Sequence, residues 1–276
     1  MDLTLRPEEP TDHHHVEELT RDAFWGADGP GCNEHLLVHR LRQADSFVPE
    51  LDWVAEVDGT VVGHVVYSRA RVEGPEGGWD VLTFGPLSVL PAHQASGVGG
   101  ALMRHTMAEA ARLGHRAVVV YGHPDYYPRF GFQRGADVGI TAPGGATFDA
   151  LMALALIDGG LDGVRGEFLE DSSFHTLDDA DVAAFDATFP PKDPAVMTPL
   201  EALEGSVPDG VVDALRAGGI PNLQMVSRLS SREVAAIDGV GVEGCDAVRR
   251  FLLARGVRWG PAAADRAEAQ ATIPSR

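Results

Sequence analysis

The stretch Val89-Leu-Pro-Ala-His-Gln-Ala-Ser-Gly-Val-Gly-Gly-Ala-Leu-Met103 decides how the first two thirds of this chain fold. The run before it, 81–90, is apolar and partly β-branched, and Pro91 ends it. Apolar residues then recur at helical spacing from Val98 to Met107. The stretch therefore predicts the end of a strand, a glycine-rich turn and the start of a helix.

The turn itself reads Gln94-Ala-Ser-Gly97-Val-Gly99-Gly100. Its glycines lack Cβ atoms where a helix start leaves backbone N–H groups unpaired and where the positive end of the helix dipole points outward. This arrangement suits a phosphate-binding loop, and the alternative is a tight strand-to-helix turn that binds no ligand. The spacing is neither the dinucleotide-binding GxGxxG nor a Walker loop, since no Lys-Ser/Thr pair follows Gly100.

A second motif follows about thirty residues later. After a short β run at 118–121 comes Gly122-His-Pro-Asp-Tyr-Tyr127-Pro-Arg-Phe-Gly131-Phe132. The first motif resembles the Gln/Arg-x-x-Gly-x-Gly/Ala pyrophosphate loop of the GNAT superfamily of acetyl-CoA-dependent N-acetyltransferases. Tyr127 with Gly131-Phe132 matches the Tyr-x-x-x-Gly-Phe of that family's next short helix, and the likeness extends from the start to about residue 170.

The resemblance implies an α/β (α+β) GNAT fold with a mixed, splayed central sheet flanked by helices. It also implies acetyl-CoA as co-substrate, no metal, and direct attack by an amine in a ternary complex. Tyr127 would protonate the departing CoA thiolate; the alternative is that Tyr127 is a packed aromatic beside Phe130 and Phe132. The residues assigned to acetyl-CoA are Leu87, Ser88, Val89, Gln94, Ser96, Gly97, Val98, Gly99, Gly100 and Ala101, the first three through backbone N–H groups at the reacting carbonyl.

The sequence does not determine which group acts as the general base. An alkylamine with a pKa of about 10.4 is almost wholly protonated at pH 7, so an acidic group or a water chain must take its proton. The candidates are Glu34, Asp80, His64, His123 and water.

The rest of the chain predicts further elements. We expect an edge strand at 3–5, helices near 12–24 and 33–42, and a hairpin from Trp53 to Tyr67 that turns at Asp58-Gly59. The glycine-loop helix should run to about Leu113, and strands should follow near 139–141, 151–156 and 164–168.

The bulk properties narrow the class of protein. A chain of 276 residues suggests two domains, and we expect it in the cytoplasm because neither a signal peptide nor a membrane span is visible. Its two cysteines, Cys32 and Cys245, fall in separate predicted domains and suggest neither a disulfide framework nor a zinc site. A net charge of -19 argues against general nucleic-acid affinity and favours cationic partners such as amines.

The predicted domain order is 1–175 for the acetyltransferase domain, 176–195 for an acidic and then Pro-rich linker, 196–260 for a helical domain, and 261–276 for a disordered tail. Residues 205–260 resemble a helix-hairpin-helix, with Gly239-x-Gly241 as hairpin, and the C-terminal domain of the bacterial RNA polymerase alpha subunit. Glu243 stands about where that domain carries a basic DNA-contacting residue, and Gly210 and Asp213 replace its Arg and Asn. We therefore expect no DNA binding and instead a packing role, a protein partner or a homodimer.

Two other functions fit the same sequence. One is a catalytically silent regulator that binds acyl-CoA. The other is a scaffold whose C-terminal domain docks a partner while the GNAT portion is structural.

Overall fold

The structure is a computed structural model of the chain, and it describes residues 2–27, 29–255 and 259. Its strands, numbered in chain order, are β1 (Leu3–Pro7), β2 (Trp53–Val57), β3 (Thr60–Val65), β4 (Tyr67–Gly74), β5 (Gly77–Phe84), β6 (Ser88–Val89), β7 (Ala117–Tyr121), β8 (Gln133–Arg134), β9 (Ile140–Thr141), β10 (Leu151–Ala155) and β11 (Gly166–Leu169). Its α-helices are α1 (His13–Phe24), α2 (Glu34–Leu41), α3 (Val98–Arg112), α4 (Asp179–Asp186), α5 (Val211–Ala217), α6 (Leu223–Val226), α7 (Ser231–Ala236) and α8 (Gly241–Ala254).

The chain divides into two compact units. The first unit consists of Met1–Val120, Gly135–Thr147 and Ala153–Ala195, and the second of Tyr121–Arg134, Phe148–Met152 and Val196–Arg276. The short segment that carries Tyr127 thus belongs to the same unit as the C-terminal helices. The predicted disordered tail, 261–276, lies outside the described residues.

In the first unit, one sheet has the strand order β1-β2-β3-β6, with antiparallel neighbours throughout. The predicted hairpin is confirmed: β2 and β3 join at Asp58 and Gly59, which adopt φ of 51° and 82°. Helices α1 and α2 cover one face, where Val54 and Val66 pack with apolar residues of both helices. Helix α3 covers the other face, since a Cβ on Gly63 would lie 2.9 Å from Val98 Cγ1.

Helix α1 begins after Asp12, a residue type that commonly caps a helix through its side chain. Asp12 precedes the helix, but no backbone N–H of α1 donates to its carboxylate. Arg6 of β1 donates to both carboxylate oxygens of Asp12, through Nη1 at 2.6 Å and Nη2 at 3.0 Å. A guanidinium from a neighbouring strand therefore replaces the local cap, a partnership between elements that helix-start rules do not cover.

The apolar run 81–90 forms two strands in two sheets. Strand β5 lies in a mixed sheet of order β7-β5-β4-β11-β9, where Leu82 pairs in parallel with Val118. The strand stops at Phe84, and β6 resumes at Ser88 as the edge strand of the first sheet. At the break, Gly85 N donates to Val66 O, and a Cβ on Gly85 would lie 2.7 Å from Leu41 Cδ1, so α2 packs directly onto the bend.

The segment 176–195, predicted as a linker, contains helix α4 and is tied to α1. Arg21 forms a two-pronged ion pair with Asp186, at 2.6 and 3.0 Å. Lys192 Nζ donates to Asp22 Oδ1 at 2.6 Å and lies 5.0 Å from the centre of the Trp25 ring. These contacts hold the Pro-rich end of the segment along the last turns of α1.

The second unit has its own apolar core, built from α5 to α8 and the turns between them. Val211, Leu215, Val234, Val248 and Phe251 are among its buried members. Helices α7 and α8 are joined by a four-residue turn in which Gly239 has φ 85°. Among the described residues, no helix combines the length and the apolar character that crossing a bilayer requires.

Candidate active site

The loop before α3 has the backbone form that an anion site requires. Ala95 and Gly97 take left-handed conformations, with φ of 58° and 96°, and α3 begins directly afterwards at Val98. A side chain at Gly97 would be strained by that φ, although no atom lies within 4 Å of where its Cβ would be. The chain therefore turns sharply into the helix with an open surface above it.

The helix start leaves donors unpaired. Ala101 N is the first to bond back, to Gly97 O at 2.9 Å, so the N–H groups of Val98, Gly99 and Gly100 lack partners within the helix. A Cβ on Gly100 would lie 3.3 Å from the Arg104 guanidinium, which brings a positive charge one turn along from these donors. Backbone donors, helix dipole and guanidinium together suit a phosphate.

Two polar side chains expected to contact the cofactor bond to the loop itself. Gln94 Nε2 donates to Val89 O at 3.1 Å, and Ser96 Oγ donates to His93 O at 2.5 Å. Both residues are exposed. In this arrangement the two side chains shape the loop, while the backbone of Val98 to Ala101 offers the ligand donors.

The backbone from Leu87 to Val89 lies at the edge of the first sheet. Ser88 pairs with His64 and Val89 with Gly63, so β3 occupies one side of β6, and the strand order leaves the other side without a strand partner among the described residues. The Ser88 hydroxyl is buried against Thr20 Oγ1 at 2.9 Å. The side chain of Ser88 therefore anchors the strand to α1, and only its backbone is available at the edge.

The Tyr127 segment, in the second unit, is a short 3₁₀ helix from Tyr127 to Phe130. Gly131 ends it with φ 92°, and Phe132 returns to contact the Tyr127 ring edge-to-face, at 5.4 Å between ring centres. A Cβ on Gly122 would lie 2.3 Å from Tyr127 Cε2, so the ring rests on the bare Gly122 backbone. Tyr127 is 8% exposed.

Comparison with known proteins identifies the family. The sequence profile of the acetyltransferase (GNAT) domain matches residues 50–134. The uncharacterised N-acetyltransferase YhbS of Escherichia coli K12 is 32% identical over 165 residues, which span 59% of this chain and 93% of YhbS. The chain belongs to the GNAT family of N-acetyltransferases.

Other GNAT proteins support the same conclusion. The uncharacterised N-acetyltransferase YjhQ of E. coli K12 is 38% identical over 108 residues, 39% of this chain and 60% of YjhQ. The crystal structure of E. coli YhbS in complex with CoA superposes with a TM-score of 0.56 and 27% identity, over 64% of this chain and 93% of YhbS. A GNAT acetyltransferase from Brucella melitensis in complex with acetyl-CoA superposes with a TM-score of 0.50 and 31% identity. The superposition covers 63% of this chain and 98% of the Brucella chain.

Two of the candidate bases of this GNAT protein have poor surroundings for the role. Asp80 is ion-paired with Arg71 at 2.5 Å, with its side chain 86% exposed, and it lies seven residues before Leu87, about 20 Å along an extended chain. His64 is fully buried in β3, where burial lowers its pKa to about 4. Its Nε2 donates to Asp52 Oδ1 at 2.8 Å, so the lone pair is on Nδ1, and that atom is buried away from solvent.

His123 also has both ring nitrogens engaged. Nε2 lies 2.6 Å from Ser227 O and Nδ1 lies 3.2 Å from Asp125 N. A carbonyl can only accept and a backbone N–H can only donate, so Nε2 carries the proton and the Nδ1 lone pair is used. His123 therefore acts in this arrangement as a structural bridge.

Glu34 is the fourth candidate, at the first position of α2. Its Oε2 accepts from Asn33 N at 3.1 Å and from the thiol of Cys32 at 3.3 Å. Burial and the Glu34 charge raise the pKa of the Cys32 thiol, which keeps it protonated. Cys32 is thus a poor nucleophile, in agreement with a direct rather than an acetyl-cysteine route.

Sequence reasoning missed a buried ionic cluster, here called the Glu8 cluster, on the α1–α2 face of the first sheet. Its members are Glu8, Glu17, Arg42, Asp52 and His64. Arg42 holds Glu8 through Nε at 2.9 Å and Nη2 at 2.5 Å, and burial raises the pKa of Glu8 to about 7.

Ligand atoms of Glu8, Asp52 and His64 lie within 4.8 Å of one another, a spacing that a metal could bridge. However, the Arg42 guanidinium already occupies both Glu8 oxygens, so the cluster fits an internal ion network better than a metal centre. The members come together through the β1–β2 pairing, in which Glu8 N donates to Asp52 O. No local motif in the sequence marks that pairing.

Proposed function

We propose that the chain transfers the acetyl group of acetyl-CoA to an amine of a small molecule or protein by direct attack within a ternary complex. The observation that carries the proposal is the glycine-lined start of α3, next to the edge of β6. The CoA in the YhbS structure and the acetyl-CoA in the Brucella structure support the choice of donor. The identity of the acceptor amine is not determined by these observations.

The pyrophosphate of acetyl-CoA binds at the loop from Gln94 to Ala101. The N–H groups of Val98, Gly99 and Gly100 donate to phosphate oxygens, and the positive end of the α3 dipole adds attraction. Arg104 contributes a full charge at the same place. Gln94 and Ser96 keep the loop in shape through their bonds to Val89 O and His93 O.

The thioester carbonyl lies against the backbone from Leu87 to Val89. In the tetrahedral intermediate the carbonyl oxygen becomes negative, and a fixed N–H donor stabilises that charge more than it stabilises the ground state. The edge position of β6 supports this role, because an edge strand has backbone groups without strand partners.

Tyr127 protonates the CoA thiolate as the C–S bond breaks. A thiolate, whose conjugate thiol has an ordinary pKa of about 8.5, is a better leaving group than an alkoxide, and one well-positioned hydroxyl proton neutralises it. Support for this role comes from the motif, Tyr127 followed by Gly131-Phe132, and from the tight seating of the ring on Gly122.

The attacking amine must lose a proton first. For a free alkylamine this costs about 4–5 kcal/mol at pH 7, at about 1.36 kcal/mol per pKa unit. Glu34 and water are the acceptors that we favour. His64 is fully buried, both ring nitrogens of His123 are engaged, and Asp80 is ion-paired at an exposed position. The net charge of -19 favours a cationic amine as the incoming substrate.

The test uses the purified full-length protein. Acetyl-CoA binding is measured by calorimetry, and CoA release is followed with spermidine, kanamycin, lysine and a peptide with a free α-amine. We expect micromolar acetyl-CoA binding and amine-dependent release with at least one of these amines. No binding of acetyl-CoA up to about 1 mM, near −4 kcal/mol, would exclude it as donor. Binding without release from any amine would favour the silent acyl-CoA regulator.

A further inference from the structure

The segment that carries Tyr127 is structurally part of the C-terminal unit. Residues Tyr121–Arg134 and Phe148–Met152 cluster with Val196 onward rather than with the remainder of the acetyltransferase fold. The C-terminal helices therefore contact a segment to which the proposed function assigns a catalytic residue.

Hydrogen bonds at three positions join the two parts. His123 Nε2 donates to Ser227 O at 2.6 Å, and Ser231 Oγ donates to Asp125 Oδ2 at 3.2 Å. Asp149 makes a double contact: its Oδ2 accepts from Ser230 Oγ at 2.9 Å, while its backbone N–H donates to Glu233 at 3.3 Å. All the C-terminal partners lie within one short stretch, 227–233.

The same contacts lead directly to Tyr127. Residues His123 and Asp125 belong to the turn below the ring, where His123 O accepts from Tyr126 N at 2.9 Å and from Tyr127 N at 3.4 Å. The ring itself rests on Gly122. Moving His123 or Asp125 would therefore shift the backbone that supports the Tyr127 ring.

Ser230 shows that the contact is specific. Its Oγ accepts from Glu233 N at 3.0 Å, and Glu233 Oε2 accepts from Ser230 N at 2.8 Å, which together form a capping box at the start of α7. A cap alone needs only an acceptor, so Asp or Asn would serve as well. Donation to Asp149 additionally needs a proton on the same side-chain oxygen, and a hydroxyl meets both requirements. Ser230 is 4% exposed, so the bond to Asp149 is made away from bulk water.

We propose that the stretch 227–233 of the C-terminal helices is the positioning element for Tyr127, and that these helices are consequently an integral part of the acetyltransferase. Ser227, Ser230 and Ser231 are positioning residues, since they act through His123, Asp125 and Asp149 and not on substrate. The inference rests on the proposed function of Tyr127.

The test is a double variant of the full-length chain, Ser230→Asp with Ser231→Ala. The aspartate keeps an acceptor for the α7 cap but sets a carboxylate against Asp149, and the alanine removes the donor to Asp125. Ser206→Asp, at an exposed position of the same unit, is the matched control. Ser230→Thr retains a hydroxyl and should behave as the wild type.

We expect amide hydrogen exchange in 122–130 of the double variant to rise about tenfold or more, with exchange in α3 unchanged. The kcat for CoA release should fall about tenfold, with acetyl-CoA affinity within about twofold of wild type. Release is measured with the fastest amine of the panel and, without amine, as acetyl-CoA hydrolysis.

A cycle with Tyr127→Phe separates the two proposals. If the serines act through the Tyr127 hydroxyl, the double variant lowers kcat in the tyrosine background and not in the phenylalanine background. Equal losses in both backgrounds, or an unchanged kcat in the double variant, would overturn the positioning role while leaving Tyr127 as the acid. Full activity of Tyr127→Phe alone would overturn the role of Tyr127 and the positioning proposal with it.

Discussion

The loop at Gln94–Ala101 and the segment around Tyr127 carry the two family motifs, yet they are built in opposite ways. In the first, Gln94 and Ser96 are exposed, and their side chains bond to backbone atoms within five residues. In the second, Tyr127 is buried, and a contact of the turn before it joins His123 to Ser227, 104 positions away. In the proposed reaction the loop contributes backbone N–H groups, whereas the Tyr127 segment contributes one hydroxyl.

This difference implies different sensitivities to substitution. A site made of N–H groups tolerates changes of side chain as long as no Cβ intrudes and the turn keeps its shape. A site made of one hydroxyl loses its function when that atom is removed, and it depends on every contact that holds the ring. Binding and catalysis should consequently be separable by single substitutions.

The largest expected effect comes from Tyr127→Phe. Loss of the proton donor should lower kcat by about 10²-fold and leave acetyl-CoA affinity nearly unchanged, because only the hydroxyl is removed. Steady-state CoA release together with calorimetry measures both quantities. Tyr126→Phe is the matched control, since it makes the same chemical change one residue away and should retain activity. Full activity in Tyr127→Phe would assign this tyrosine to packing.

The second-largest expected effect is a loss of acetyl-CoA affinity in Gly99→Val, with catalysis changed less than binding. A branched side chain beside the helix N–H groups should weaken acetyl-CoA binding by about tenfold or more, about 1.4 kcal/mol, with a smaller change in kcat at saturation. Ala108→Val, on the exposed side of the same helix, controls for the helix propensity of valine. Unchanged affinity in a folded Gly99→Val protein would remove the loop from the binding site.

A third prediction concerns stability away from both motifs. Burial raises the pKa of Glu8 to about 7, so the folded protein retains a proton that the unfolded chain loses above pH 4.5. The stabilisation from this group is complete below that pH and declines as the pH rises towards 7. Glu8→Gln imitates the protonated form at every pH.

The variant should therefore gain stability relative to the wild type by about 1 kcal/mol per pH unit between about pH 5 and 7. The charged and titratable groups that face Glu8, namely His13, Arg42, Asp52 and His64, are present in both proteins. Urea unfolding at several pH values measures the difference, with exposed Glu76→Gln as control. Parallel stability curves for Glu8→Gln and wild type would mean that Glu8 is ionised in the folded state.

The smallest expected effect concerns the binding of duplex DNA. The full-length chain should show no measurable binding to duplex DNA at low salt, because Glu243 stands in the first turn of α8 and would repel phosphate. Fluorescence anisotropy with a labelled duplex tests this, and Glu243→Arg should raise the affinity if the turn before α8 is where DNA would bind. Micromolar binding by the wild type that falls steeply with salt would reverse the assignment.

Local signals in the sequence predicted most of the first unit. The Asp58-Gly59 turn and the helix limits of α3 depend on neighbouring residues, and both were expected. The break of the apolar run at Gly85 was not expected, because it depends on α2 packing onto the bend. Periodicity cannot distinguish one long strand from two strands in different sheets.

The candidate site divides in the same way. The glycine loop and Tyr127 were proposed from the spacing of two motifs and their resemblance to GNAT motifs, whereas the hydrogen-bond partners of the candidate bases could not be predicted from sequence. His123 is engaged by a carbonyl 104 positions later, and His64 by the carboxylate of Asp52, just before the neighbouring strand β2. Such partners depend on tertiary structure, so residue type suggested four possible bases where the structure leaves fewer available.

The Pro-rich segment beside α1 has a practical consequence. Lys192 is the only lysine in the sequence, and it lies next to the Trp25 ring while paired with Asp22. An amine-reactive dye should therefore label one side chain and the chain terminus, and a dye with suitable spectral overlap would exchange energy with Trp25. Lys192 is thus a natural attachment point for an optical reporter beside the end of α1, and no cysteine needs to be introduced.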